Sequence, residues 1–248
     1  MNVLVTGATS GFGAAIARRF ITEGHRVVAT GRRRERLEAL AAECGERLHA
    51  VALDVRDRAA VEAMLSGLLP AFAAIDVLVN NAGLALGLKA AHETDMADWE
   101  RMVDTNIKGL MYVTRAVTPG MVERGRGHVI NLGSVAGEWP YPGGNVYGGT
   151  KAFVRQFSLN LRADLVGRGV RVSNIEPGMA ETEFSLVRYS GDADKAASIY
   201  AGTTPLSADD IAETVYWIAT RPAHVNINTI SLMPECQAFS AFTVKRSS

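Results

Sequence analysis

Three side chains in one short window carry the chemistry: Ser134, Tyr147 and Lys151, in the stretch LGSVAGEWPYPGGNVYGGTKAFV. Tyr147 and Lys151 are four residues apart, so a helix entered near Gly144 projects both from one face, one turn apart. A phenol is a poor base at neutral pH, because its ordinary pKa is about 10. A neighbouring ammonium favours the phenolate, so the tyrosine can exchange a proton under milder conditions. Ser134 follows the strand-like run 128–132 and is placed to donate a hydrogen bond to the oxygen that gains or loses that proton. Such a set suits oxidation of an alcohol or reduction of a carbonyl. That chemistry needs a hydride carrier, so the rest of the chain should build a nicotinamide site.

The elements that must position these groups follow an alternating pattern. Short β-branched runs occur at 2–5, 26–30, 48–52, 77–79, 128–132, 171–175 and 229–232. Between them lie stretches with helical spacing, at 14–22, 34–43, 59–69 and 99–117. Alternation of this kind predicts crossovers and a parallel sheet, and strands apolar throughout imply helices on both faces. The expected fold is α/β: one doubly wound Rossmann-type domain over residues 1–248, with a central parallel sheet of about seven strands. No repeat, low-complexity linker or compositional break divides the chain. Residues 184–204 form a long segment of mixed polarity, expected to be a lid or binding loop, and Ser207 is a good N-cap for a last helix.

The first strand ends in a glycine-rich turn, from Thr6 to Gly13, that opens a helix. Gly7, Thr9, Ser10, Gly11, Phe12 and Gly13 are therefore candidates for cradling a pyrophosphate on free backbone N–H groups. A plain tight turn is the alternative. The second strand ends in Arg32 and Arg33, with no acidic residue where one would hold an adenosine ribose. Guanidinium there suits a 2′-phosphate, hence NADP, although RRRER also reads as the solvated start of a helix. Asp54 and Val55 close the third strand at the ligand edge; Asp54 either accepts from an adenine amino group or caps the helix near Arg56. Asn80 is expected to tie strands together and Asn81 to line the cofactor cleft. Asn106 sits within a helical pattern and either holds a water near the reaction centre or marks a bend. Pro177, Gly178 and Thr182 follow the sixth strand, where a turn would meet the nicotinamide end.

Gly148 and Gly149 suggest close packing of a second helix, and Phe153, Phe157 and Leu161 recur at fourfold spacing as a core or interface face. Composition narrows the partners. The 26 basic and 26 acidic side chains balance, which argues against a nucleic-acid or anionic-membrane surface. Two cysteines without CxxC spacing and five scattered histidines argue against a disulfide framework or a metal site and favour a reducing, cytoplasmic setting. The opening MNVLVTGATSG is expected to enter a strand directly, without a leader pattern, and no apolar run approaches the ~18 residues of a membrane span.

Taken together, TGATSGFG, NNAG, the Asn106 segment, Ser134, YGGTK and PG, in this order, resemble the short-chain dehydrogenase/reductases of the classical subfamily. The resemblance implies that Tyr147 is the acid/base and Ser134 orients the substrate oxygen. It also implies that Lys151 holds the nicotinamide ribose and lowers the tyrosine pKa, while Asn106 supports a proton-relay water. TGRRRERL, NNAGLALG, GNVYGGTKAFVRQFSLNLR, IEPG, TEFS and PAHVNIN are further similar to the NADP-dependent 3-hydroxy acid dehydrogenases. That group implies cytosolic homotetramers acting on L-allo-threonine, serine and 3-hydroxypropanoate, and reducing malonic semialdehyde. A small hydroxy acid needs a cation for its carboxylate; Arg188 is the leading candidate and Lys195 the second, with a solvated loop charge as the alternative. The rival functions are another ketone, sugar or 3-ketoacyl reductase of this fold, and a non-catalytic NADP-sensing protein.

Overall fold

The computed structural model describes residues 1–189 and 191–238, so the end of the expected domain, 239–248, lies outside the described residues. Seven parallel strands form the sheet: β1 (Asn2–Thr6), β2 (Arg26–Gly31), β3 (Leu48–Ala52), β4 (Val77–Asn80), β5 (Gly127–Leu132), β6 (Val170–Pro177) and β7 (Thr229–Leu232), in the order β3-β2-β1-β4-β5-β6-β7. Strand order reverses between β1 and β4, and a doubly wound sheet opens its ligand crevice at the carboxyl ends there.

Strand periodicity assigns the core. Val3 and Val5 of β1 face one layer with Ile16 and Phe20 of α1 (Gly11–Thr22) and Leu37 of α2 (Arg34–Cys44). Leu4 faces the opposite layer with Val61 of α3 (Arg58–Ser66). A single turn, α4 (Pro70–Ala73), precedes β4. The expected helix at 99–117 is instead α5 (Met96–Val103), a wider π turn at Asp104–Gly109, and α6 (Leu110–Glu123). Such turns break the regular ladder and recur at functional sites. Helix α7 (Asn145–Asp164) carries Tyr147 and Lys151.

The segment expected as a lid loop holds two short helices, α8 (Glu183–Arg188) and α9 (Ala193–Ser198). Their length hid them from periodicity. Helix α10 (Ala208–Ala219) starts on a capping box between Ser207 and Asp210, as the sequence predicts. The buried face of α7 is Tyr147, Thr150, Lys151, Val154 and Ser158 rather than the phenylalanine stripe. Phe153 and Phe157 lie half-buried and stacked, 5.7 Å between centroids. A side chain on Gly148 would stand 2.9 Å from the Ala136 carbonyl oxygen, so the close approach expected there comes from this chain's own Ser134 loop.

Candidate active site

The turn after β1 explains its glycines. Gly7 has φ +68°, a left-handed conformation that a side chain disfavours. A Cβ on Gly13 would stand 2.3 Å from the Gly7 carbonyl oxygen and 2.5 Å from Asn81 Nδ2. Asn81 Nδ2 donates to the Thr6 and Gly7 carbonyls at 2.8 and 3.1 Å. Its amide thus binds the glycine turn to the end of β4, a second role beside lining the cleft. Asn80 Nδ2 donates to Thr114 and Asn131 at 2.8 Å each, tying β4 to β5 and α6 as expected.

A cleft of about 590 Å³ runs along the carboxyl ends of the strands. It is lined by Gly7, Thr9, Ser10, Gly11, Phe12, Arg32, Arg33, Asp54, Val55 and Asn81 from the first half of the chain. Ser134, Tyr147, Lys151, Pro177, Gly178, Thr182 and Arg188 line it from the second. Gly13 and Asn106, of the residues expected here, stand behind the wall. Asn106 is buried and clamps the Leu84 backbone, accepting from its N–H and donating to its carbonyl, both at 2.9 Å. It also donates to Thr150 Oγ1 at 3.0 Å. Its amide thus braces the loop after β4 against α7. Lys195 lies outside the cleft, paired with Asp192 at 3.0 Å.

At the deep end, Ser134 leaves β5 in extended conformation. Its Oγ accepts from Ala136 N at 3.1 Å, lies 3.5 Å from the Pro177 carbonyl oxygen and is hydrogen-bonded to Tyr147. Lys151 Nζ is buried and donates to the Leu132 carbonyl at 2.7 Å; it lies 5.8 Å from the centre of the Tyr147 ring. Burial decides both pKa values. Lys151 is pushed down to about 8 by desolvation. Tyr147 is pushed up to about 12, chiefly by its own desolvation, against the downward pull of the Ser134 hydrogen bond and the Arg188 guanidinium. In the protein by itself, burial works against the priming expected of Lys151. Loss of hydration outweighs charge, and the neighbouring cation that lowers the phenol's pKa is Arg188.

Arg188 ends α8. Its guanidinium stands 5.5 Å from the Tyr147 ring centre and 5.3 Å from that of Tyr141, donates to the Tyr141 hydroxyl, and leaves a buried Nε without a hydrogen-bond partner among the described residues. Gly87 N donates to the Arg188 carbonyl at 3.0 Å, and the Phe184 and Tyr147 rings lie 5.7 Å apart, so α8 closes over the reactive groups. Sequence reasoning missed Tyr141 and Phe184; the one signal was their aromatic character, within the Ser134–Tyr147 loop and the lid segment.

At the other end, Arg33 donates to Thr9 Oγ1 at 3.1 and 2.9 Å and to Ser10 Oγ at 2.6 Å. These contacts leave it a cleft residue rather than a free helix start. Asp54 binds Arg56 at 2.6 to 3.0 Å and accepts from the Arg56 N–H, while Asp57 caps α3. The Asp54 carboxylate is thus held by a local cation, which keeps it below the usual carboxylate range. Among the described residues no cluster of His, Cys, Asp or Glu suits a metal, and no helix is long and apolar enough to cross a membrane.

The family model for short chain dehydrogenases matches residues 1–191. The NADP-dependent 3-hydroxy acid dehydrogenase YdfG of Salmonella typhi is 63% identical over 248 residues, covering 100% of both chains. The serine 3-dehydrogenase of Rhizobium radiobacter is 57% identical over 247 residues, covering 100% of this chain and 99% of that one. The structure described as the closed form of serine dehydrogenase complexed with NADP+ superposes with a TM-score of 0.99 at 60% identity, over 100% of both chains. A seven-stranded parallel sheet, a glycine turn at its switch point and a serine, tyrosine and lysine gathered beside it agree with the matched model, and the chain belongs to the short chain dehydrogenase family.

Proposed function

We propose that this enzyme oxidises the 3-hydroxyl of small 3-hydroxy acids with NADP, acting on L-allo-threonine, serine and 3-hydroxypropanoate, and reduces malonic semialdehyde in the reverse direction. One observation carries the substrate class. Arg188 brings to the ring of Tyr147 a guanidinium whose buried Nε has no hydrogen-bond partner among the described residues. A buried N–H without an acceptor is costly, and a carboxylate satisfies a guanidinium fork geometrically. A carboxylate held there leaves the hydroxyl two carbons away facing Ser134 and Tyr147. The names of the YdfG and serine 3-dehydrogenase relatives point the same way.

The residues present fit the cofactor. Gly7, Gly11 and Gly13 with Thr9, Ser10 and Phe12 would hold the pyrophosphate, where a Cβ on Gly7 or Gly13 meets neighbouring atoms at 2.9 and 2.3 Å. Arg32 and Arg33 would take the 2′-phosphate, and Asp54, Val55 and Asn81 the adenosine side. Pro177, Gly178 and Thr182 would meet the nicotinamide, and Lys151 its ribose. NADP, when bound, supplies the hydride acceptor. Ser134 orients the substrate oxygen, and Tyr147 takes the hydroxyl proton as the alcohol is oxidised and returns it in reduction. Asn106 holds the wall behind them and, as in the family, supports a proton-relay water. Cytoplasmic residence and a homotetramer belong to the same proposal; unpaired Cys44 and Cys236 support the first and the half-buried Phe153–Phe157 pair the second.

Initial rates with NADP and NAD on L-serine, L-allo-threonine, 3-hydroxypropanoate and a neutral secondary alcohol test this proposal. Turnover of the three acids with NADP is expected to exceed the other combinations. Preference for the neutral alcohol, a ketone, a sugar or a 3-ketoacyl substrate removes it, and no turnover of any of them restores a cofactor-sensing role.

A further inference from the structure

Helix α8 has one carboxylate, Glu183, at its first position, and one guanidinium, Arg188, at its last. The two ends face opposite ends of the cleft. Glu183 accepts from Arg33 at 3.0 Å and from Arg36 at 2.6 and 2.7 Å. Arg33 is the residue already committed to Thr9 and Ser10 on the glycine turn. Thr182, capping α8, rests against that turn as well: its Cβ would stand 3.3 Å from a Cβ on Gly11. A helix of six residues is about 9 Å long, so α8 is a strut from the arginine corner to the Tyr147 ring.

We propose that Glu183 is a positioning residue that couples the 2′-phosphate corner to the substrate end. Its carboxylate docks α8, and with it Arg188, onto Arg33 and Arg36. The same negative charge competes with a 2′-phosphate for Arg33 and so tempers the preference for 2′-phosphorylated adenosine. Arg36 gives Glu183 a partner that it keeps when a phosphate takes Arg33, so the strut stays docked in both states. The proposal rests on the NADP and hydroxy-acid reading above, and it assigns to α2 and α8 a part in cofactor discrimination that the glycine turn alone does not have.

Calorimetric titration with adenosine 2′,5′-bisphosphate and with 5′-AMP tests it without turnover. Glu183→Gln is expected to tighten the bisphosphate about two- to fivefold, the range for one exposed charge contact, and to leave 5′-AMP unchanged. Arg36→Gln, which leaves the Glu183 charge to Arg33 alone, is expected to shift the bisphosphate the opposite way. In steady state, Glu183→Gln raises KM for L-serine several-fold and leaves KM for a neutral alcohol unmoved. Equal shifts for both nucleotides, or a wild-type preference that neither variant changes, overturn the role of Glu183 alone. A wild-type protein that holds both nucleotides alike overturns the NADP reading and this inference together.

Discussion

The two ends of the cleft are built on opposite electrostatic plans. At the deep end Tyr147 and Lys151 are 9% and 8% exposed, and burial sets their pKa values. At the arginine corner Arg33, Arg36 and Glu183 have side chains 43%, 47% and 40% exposed, and they meet as ion pairs in contact with water. Dry groups respond to the loss of hydration, whereas wet pairs respond to partners and to salt. On the function proposed above, proton transfer falls to the part of the molecule that excludes water, and discrimination between charged ligands to the part that admits it. Helix α8 spans the two, with Arg188 nearly in the first environment and Glu183 in the second.

The contrast is most sharply tested at Tyr147. Tyr147→Phe removes the proposed proton carrier from the dry end, and turnover is expected to fall by about a hundredfold to ten-thousandfold while NADP affinity holds within a few-fold. Residual turnover above about a hundredth of wild type would break the assignment of proton transfer to this residue.

Arg188→Ala is expected to raise KM for L-serine by about 10- to 100-fold, the effect of losing hydrogen bonds to a charged group, with little change for a neutral alcohol. Because Arg188 pulls the Tyr147 pKa down, its loss also moves the rise of oxidation rate to higher pH. Equal KM effects on acid and alcohol would remove Arg188 as the carboxylate's partner and leave the lid a purely steric cover.

A smaller effect concerns stability. The folded protein holds the Lys151 proton less tightly than the unfolded chain, with a pKa of about 8 against an ordinary 10.5. Between these values the unfolded state binds more protons, so stability rises with pH; below about 8 the burial penalty is present in full. Wild type is therefore expected to gain on Lys151→Met between about pH 8 and 9, at up to about 1.4 kcal/mol per pH unit, in denaturant titrations. Parallel curves would show that Lys151 is wetter than the contrast requires.

Much of the site was legible before any coordinates. Tyr147 and Lys151 share a helix face because their spacing matches one turn, and Ser134 reaches them because its strand ends at the same edge of the sheet. The strand pattern gave seven parallel strands, with ends within a residue or two of those observed. The contacts that local reasoning does not reach share a cause. Asn81 lines the cleft, and its amide also reaches carbonyls 74 and 75 residues away in sequence. Arg188 is expected to meet a substrate carboxylate, and its contact with Tyr141 crosses 47 residues. The π turn around Asn106 was hidden because a single extra residue in a helical turn leaves the hydrophobic pattern on both sides intact. Asp54 is the exception, since its partner Arg56 is two residues away and was within reach of local reasoning.

The sequence alone determined the residue types, their spacing along helices and strands, and the order in which the strands deliver them to one edge, because those depend on local periodicity. Which groups lose their water was decided only by tertiary structure. Hydration is removed by neighbours distant in sequence, and at Tyr147 that removal is the largest influence on the phenol.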